Sequence, residues 1–165
     1  MSMAMPPRVV FIGDLNGMWK SGAQRLAAAR EQGAEIAGKI DYGSLPTSGP
    51  LHARFARLFG RPAFPGLLRA FNHELLSQCA TLPRPDICWV EWPRLVLPGT
   101  IRELRARWGG TRFVCFQDDN PFGARADEHF WLLFRRCIPE FDLHLVKREE
   151  DVAKFRAAGA RRVEL

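Results

Sequence analysis

Short apolar runs that do not alternate with polar residues, separated by helix-forming segments, constrain this chain more than any other feature. Residues 8–12 (RVVFI), 86–91 (DICWVE), 111–116 (TRFVCF) and 142–146 (DLHLV) are each five or six residues long and largely apolar. An antiparallel strand with one wet face would alternate, whereas runs of this kind fit strands covered on both faces. Residues 34–42 make a weaker strand, interrupted by Gly38 and Lys39, and 161–165 begin a sixth.

Helical segments fill the intervals. Residues 23–32 (AQRLAAAREQ) are strong helix formers followed by Gly33, a suitable C-cap. Residues 43–50 are turn chemistry, and 51–59 and 64–79 read as helices broken by Arg61-Pro62 and Pro65. In the second, Leu67, Leu68, Phe71, Leu75 and Leu76 form one apolar stripe. Helices are also expected over 98–108, with Pro98 at its start, over 127–137, where Asp127 and Glu128 suit the positive end, and over 149–158, capped by Gly159. Strands and helices alternating in this way imply right-handed βαβ crossovers. The expectation is one α/β domain over 1–165, a Rossmann-like, doubly wound parallel sheet of about six strands with helices on both faces.

A chain of 165 residues with 47% apolar and 25% charged residues has ordinary globular composition. No apolar run approaches the roughly 20 residues that span a bilayer, and residues 1–7 do not read as a signal peptide, so a cytoplasmic protein is expected. Cys79, Cys88, Cys115 and Cys137 show no CxxC spacing and read as small buried hydrophobes. The net charge of +6 suits an anionic partner, such as phosphate groups or an anionic membrane surface. The basic residues are scattered and do not interleave with aromatics, which argues against nucleic acid.

In an open parallel sheet, ligands bind beyond the carboxyl ends of the strands, where strand order reverses. That rule selects Gly13, Asp14 and Asn16 after the first strand and Glu91 after the third. It adds Gln117, Asp118, Asp119 and Asn120 after the fourth, and Lys147 and Glu149 after the fifth. Gly13, Gly17 and Gly22 match neither the dinucleotide fingerprint nor a P-loop, which disfavours a dehydrogenase, but they would let a ligand approach the backbone closely. Asp118 and Asp119 are the candidate general bases; turn capping is the structural alternative. His129 falls in the first turn of a helix behind this acidic loop, within reach of the cleft. His52, His73 and His144 have no ligand partner at i+4, so no metal site is expected. Trp89 and Trp92 flank Glu91 and either stack on a sugar or base or pack in the core.

The stretches FVCFQDDNPFG and FDLHLVKREEDVAKFRAAGARRVEL, together with the Gly13-Asp14 turn, resemble the N-terminal domain of CgeB-like (spore maturation protein type) glycosyltransferases. The likeness covers nearly the whole chain, with residues 43–83 matching loosely. It implies one half of a GT-B enzyme, the acceptor-binding half, with a nucleotide sugar as co-substrate and no other cofactor. Carried onto this sequence, Asp14 and Asn16 edge the cleft, Asp118 or Asp119 is the base or acceptor contact, and Lys147 approaches phosphate or acceptor groups. The family's C-terminal donor domain is absent from these residues. The resemblance therefore implies a fragment, or a donor domain supplied by another chain, and no efficient turnover by this chain alone. The competing expectation is a non-catalytic Rossmann-like module that binds a nucleotide or a protein.

Overall fold

The structure, a computed structural model, describes residues 5–17, 19–46, 54, 58–60, 63–123 and 128–165, with the side chains of 128 and 130 excepted. Its centre is β1 (Arg8–Gly13), whose Val9, Val10, Phe11 and Ile12 are all buried. The chain continues through α1 (Ser21–Glu31), β2 (Glu35–Asp41), α2 (Pro65–Ala80), β3 (Ile87–Glu91) and α3 (Pro98–Arg107). It then runs through β4 (Arg112–Gln117), α4 (Glu128–Cys137), β5 (Leu143–Val146), α5 (Glu149–Ala157) and β6 (Val163–Glu164). The expected helix over 51–59 and the residues His52 and Asp127 lie for the most part outside the described residues.

Six strands form one sheet in the order β2-β1-β3-β4-β5-β6, and every neighbouring pair is parallel. The chain steps outward from β1 to β2, then crosses back to β3 on the other side of β1. The strand order therefore reverses between β1 and β3, the point where such sheets open a crevice. Successive residues of β1 face opposite sides. Val9 and Phe11 pack with Leu26 of α1 on one face. Val10 and Ile12 join the larger core, to which Phe71 of α2, Ile101 of α3, Phe134 of α4 and Phe155 of α5 contribute. Among the described residues the sheet is covered on both faces, by α1 on one and by α2 to α5 on the second. Gly38, which weakens the sequence signal for β2, fits closely against the chain: a Cβ there would lie 2.7 Å from Leu82 Cδ1.

Polar staples hold the amino edge of the sheet. The Asp86 carboxylate accepts the Arg8 N–H at 2.8 Å. Asp142 accepts the Phe113 N–H at 2.8 Å and pairs with Arg105 at 3.0 Å and Arg161 at 3.1 Å. All four cysteines are free and buried. Burial pushes the Cys79 and Cys137 thiols up to about 12 and those of Cys88 and Cys115 well above the usual thiol range, so none supplies a thiolate at neutral pH. Among the described residues no cluster of three or more metal-ligating side chains occurs, and no helix is long and apolar enough to cross a membrane.

His144 of β5 sits with rings of Phe134, Phe141 and Phe155 at centroid distances of 6.4, 5.3 and 5.0 Å. Its Nε2 lies 2.9 Å from the Ile138 carbonyl. Burial pulls the imidazole down from 6.5 to about 4, outweighing that hydrogen bond. The unfolded chain therefore takes up a proton near pH 6.5 that the folded chain refuses until about pH 4. Stability from this group is complete above pH 6.5 and drains away as pH falls toward 4. The expected loss between pH 7 and 4.5 is roughly 2 to 3 kcal/mol. Urea titrations of wild type and His144→Phe at the two pH values should show that loss in the wild type and a smaller one in the variant. Equal losses would mean the imidazole is not buried neutral.

Candidate functional site

At the β1/β3 switch point the carboxyl ends of the strands open into a cavity of about 600 Å³. Its wall takes Asp14 from the loop after β1, Trp19 to Gly22 from the approach to α1, and Tyr42 and Gly43 from the turn after β2. Phe71 of α2 and the strip Glu91, Trp92, Arg94 and Leu95 at and beyond the end of β3 complete it. The volume falls within the usual range for small-molecule pockets, which are mostly apolar with a few convergent polar groups.

Glu91 is the buried polar centre of this corner, 2% exposed. Arg25 of α1 grips it with two hydrogen bonds, Nε to Oε1 at 2.7 Å and Nη2 to Oε2 at 2.9 Å, and the Trp89 indole N–H donates to Oε1 at 2.8 Å. The guanidinium lies 3.6 Å above the Phe116 ring, so the pair sits in an aromatic slot. The glycines of the first loop make room for it. A Cβ on Gly13 would come within 2.7 Å of Glu91 Cβ, and one on Gly22 within 2.9 Å of the Asp14 carbonyl and 3.5 Å of Glu91 Oε2. Both glycines admit the chain's own carboxylate and backbone to this corner.

Asp14, also on the wall, is paired with Lys20 at 2.6 Å. Asn16 donates to Asp41 at 2.8 Å, and the other Asp41 oxygen accepts the Leu15 N–H at 2.7 Å. That bracket closes the loop after β1 onto the end of β2, beside Gly43 of the wall. Trp92 has a positive φ of 47°, an uncommon backbone state for so large a residue. Three contacts hold it there: its indole N–H donates to Asp118 Oδ1 at 2.7 Å, its ring meets Trp131 at 6.0 Å, and Arg94 lies 5.1 Å over the ring. Asp118 thus reaches the cavity through Trp92.

The remaining sequence candidates lie elsewhere. Gln117 is buried at the end of β4 and donates to the Asp119 carbonyl at 3.2 Å. Asn120 accepts the Phe122 N–H at 2.8 Å, an Asx turn that folds the acidic loop back toward α5, where Phe122 meets Phe155 at 5.3 Å. His129 is buried in α4, while Lys147 and Glu149 are exposed at the start of α5. None of these six, counting Asp119, is on the cavity wall. Of the sequence candidates, Asp14 and Glu91 are on the wall, while Gly13 backs Glu91, Asn16 is bonded to Asp41 beside Gly43 of the wall, and Asp118 is bonded to Trp92 of the wall.

Sequence reasoning missed two parts of the site. Tyr42 and Phe71 form the far wall, with ring centroids 5.7 Å apart. The Tyr42 hydroxyl is buried with no hydrogen-bond partner among the described residues, and burial raises its pKa well above the ordinary 10, so it stays protonated. Asn72 of α2, 4% exposed, anchors the strip beyond β3. Its amide donates to the Leu68 and Leu95 carbonyls, and its carbonyl accepts the Leu97 N–H and the Thr100 hydroxyl, at 2.7 to 2.9 Å. A polar residue next to Phe71 in an apolar helix stripe was the available signal.

Comparison of the chain with protein-family models and with curated proteins gives no match. The site itself carries the functional argument.

Proposed function

We propose that this domain is the acceptor-binding half of a nucleotide-sugar-dependent glycosyltransferase of GT-B type. The observation that carries this reading is the cavity at the β1/β3 switch point, where aromatic walls meet the Asp14 and Glu91 carboxylates and Trp92 of the wall is tied to Asp118 behind it. Aromatic faces suit the C–H faces of a sugar-like ring, and carboxylate oxygens accept its hydroxyl protons. In the reaction, an acceptor hydroxyl oxygen attacks the anomeric carbon of the donor sugar. The new C–O bond forms as the bond to the diphosphate oxygen breaks, the nucleoside diphosphate leaves, and the hydroxyl proton passes to a carboxylate. Asp118 is the base assigned here: the Trp92 indole occupies Oδ1 and fixes the plane of the carboxylate, leaving Oδ2 to take the proton. The donor half, supplied by further chain or by a partner, holds the nucleotide sugar, which is a co-substrate.

A non-catalytic ring-binding module is the second reading, favoured by the pairing of Asp14 and Glu91 with cations. A thermal-shift panel separates both from redox chemistry. Glycosides at 100 times their Kd should stabilise the chain by about 2.7 kcal/mol, and nucleotide sugars should do so once the donor half is present. A shift with NADPH and none with glycosides or nucleotide sugars would overturn the proposal.

A further inference from the structure

The basic residues, scattered along the sequence, are gathered by the fold. Parallel strands put their amino ends at one edge of the sheet, and the crossover helices, running back against them, end at that same edge. Arg107 lies in the last turn of α3, Arg136 in that of α4 and Arg156 in that of α5. Arg84 stands in the turn before β3, Arg112 opens β4, and Arg161 lies in the turn before β6. At the carboxyl edge β1 to β4 each end at or next to an acid, and Lys20 and Arg25 are paired there with Asp14 and Glu91.

The amino edge has no such balance. The acids in the turns before β3 and β5 are engaged within the chain. Asp86 accepts the Arg8 N–H, Glu140 pairs with Arg102 at 3.5 Å, and Asp142 accepts the Phe113 N–H and pairs with Arg105 and Arg161. Among the described residues no carboxylate pairs with Arg84, Arg107, Arg112, Arg136 or Arg156, and all five are exposed. The Arg84 guanidinium donates to the Gly109 carbonyl at 3.1 Å, which brings it to the turn that Arg107 and Arg112 flank in the chain. A base in the last turn of a helix suits the negative end of the helix dipole. Arg84 and Arg112 lie outside helices, so the dipole does not account for them.

The shape and chemistry of this edge select a plane of phosphates. Guanidinium groups bind phosphate oxygens through two parallel hydrogen bonds. From β3 to β6 the edge is about 14 Å wide at the usual strand spacing, and α3 to α5 deepen it by about 10 Å. It is a patch rather than a stripe that tracks one backbone. Trp108, Phe113 and Phe141 at this edge are buried, so it offers no platform for unpaired bases.

We propose that the amino edge of the sheet is an electrostatic docking surface for an anionic membrane, with its unpaired arginines seated on phospholipid headgroups. The cavity opens at the opposite edge, so a docked chain keeps it turned to water. The docking surface is independent of the acceptor-binding reading and needs neither Asp118 nor the donor half.

Co-sedimentation of the whole chain with sucrose-loaded vesicles tests this. The chain should bind phosphatidylcholine vesicles holding about 30% phosphatidylserine at about 50 mM salt, and should be released at about 500 mM salt. Phosphatidylcholine alone should not bind it. Arg107→Gln with Arg112→Gln should weaken partition by about fivefold for each arginine, the fold-change equivalent to about 1 kcal/mol, with the melting temperature unchanged. Arg69→Gln with Arg148→Gln removes the same charge from exposed positions away from this edge and should leave most of the binding in place. Equal losses in the two double variants would make net charge the cause and overturn the surface. Equal binding to neutral vesicles, or no binding at about 50 mM salt, would overturn it as well. Tighter binding of a DNA duplex than of anionic vesicles, at equal phosphate concentration, would overturn the membrane assignment in favour of nucleic acid.

Discussion

Replacing Arg25 with methionine should cost the fold about 3 to 5 kcal/mol, the range for removing one partner of a buried ion pair. The Glu91 side chain is 3% exposed and that of Arg25 25%, so the carboxylate left behind has almost no access to water. Glu91 would keep the Trp89 indole as a hydrogen-bond donor but lose both bonds from the guanidinium. The packing of Arg25 over Phe116 would be only partly replaced by the methionine chain. For a domain of this size the change corresponds to a fall in melting temperature on the order of 10 °C. A second variant isolates the cause. In Arg25→Met with Glu91→Gln the shape at position 91 is kept and the uncompensated charge is gone, so most of the lost stability should return. Urea denaturation of the two variants checks both statements. A cost below 1 kcal/mol for Arg25→Met, or no recovery in the double variant, would show that charge pairing is not what holds the switch point together.

The expectation from sequence and the structure agree where the information is local. β1, β3, β4 and β5 follow from apolar runs, and each lies within a residue or two of its expected bounds because the run itself is what the sheet buries. β2 is legible only weakly for a physical reason: it is an edge strand with most residues half-buried, so Gly38 and Lys39 cost it little. β6 is shorter than expected, Val163–Glu164 in place of 161–165, since an edge strand pairs with β5 alone. The sequence pattern also located the carboxyl edge as the polar side. It could not show which polar groups meet, because those contacts join distant parts of the chain. Arg25 and Glu91 are 66 residues apart, and Asn72 and Leu97 are 25 apart. The positive φ of Trp92 and the filling of the Gly13 gap by Glu91 depend on how β1 and β3 abut, which no local pattern encodes.

Two adjacent aspartates, which the sequence leaves equivalent, are expected to differ sharply in the complete enzyme. Asp118→Asn should reduce turnover by roughly 10² to 10⁴-fold, the range for losing a general base, with little change in KM. The substitution is conservative for the fold: an asparagine Oδ1 still accepts the Trp92 indole N–H, so the strained backbone at Trp92 keeps its anchor and only the proton acceptor is lost. Asp119→Asn should leave turnover within a fewfold of wild type, since its described hydrogen bond is through the backbone carbonyl, whereas the Asp118 carboxylate is tied to Trp92 of the wall. Asp14→Asn tests the carboxylate on the wall after β1. It removes an exposed pair with Lys20, worth at most about 1 kcal/mol in stability, and should raise KM without lowering kcat in proportion. The assay is transfer of labelled sugar from nucleotide donors to glycoside acceptors by the enzyme with its donor half present. Full turnover in Asp118→Asn would remove Asp118 as the base. If Asp14→Asn then lost turnover instead, the proton would leave through the β1 side of the cavity, and the Trp92–Asp118 hydrogen bond would be a device for shaping the wall alone.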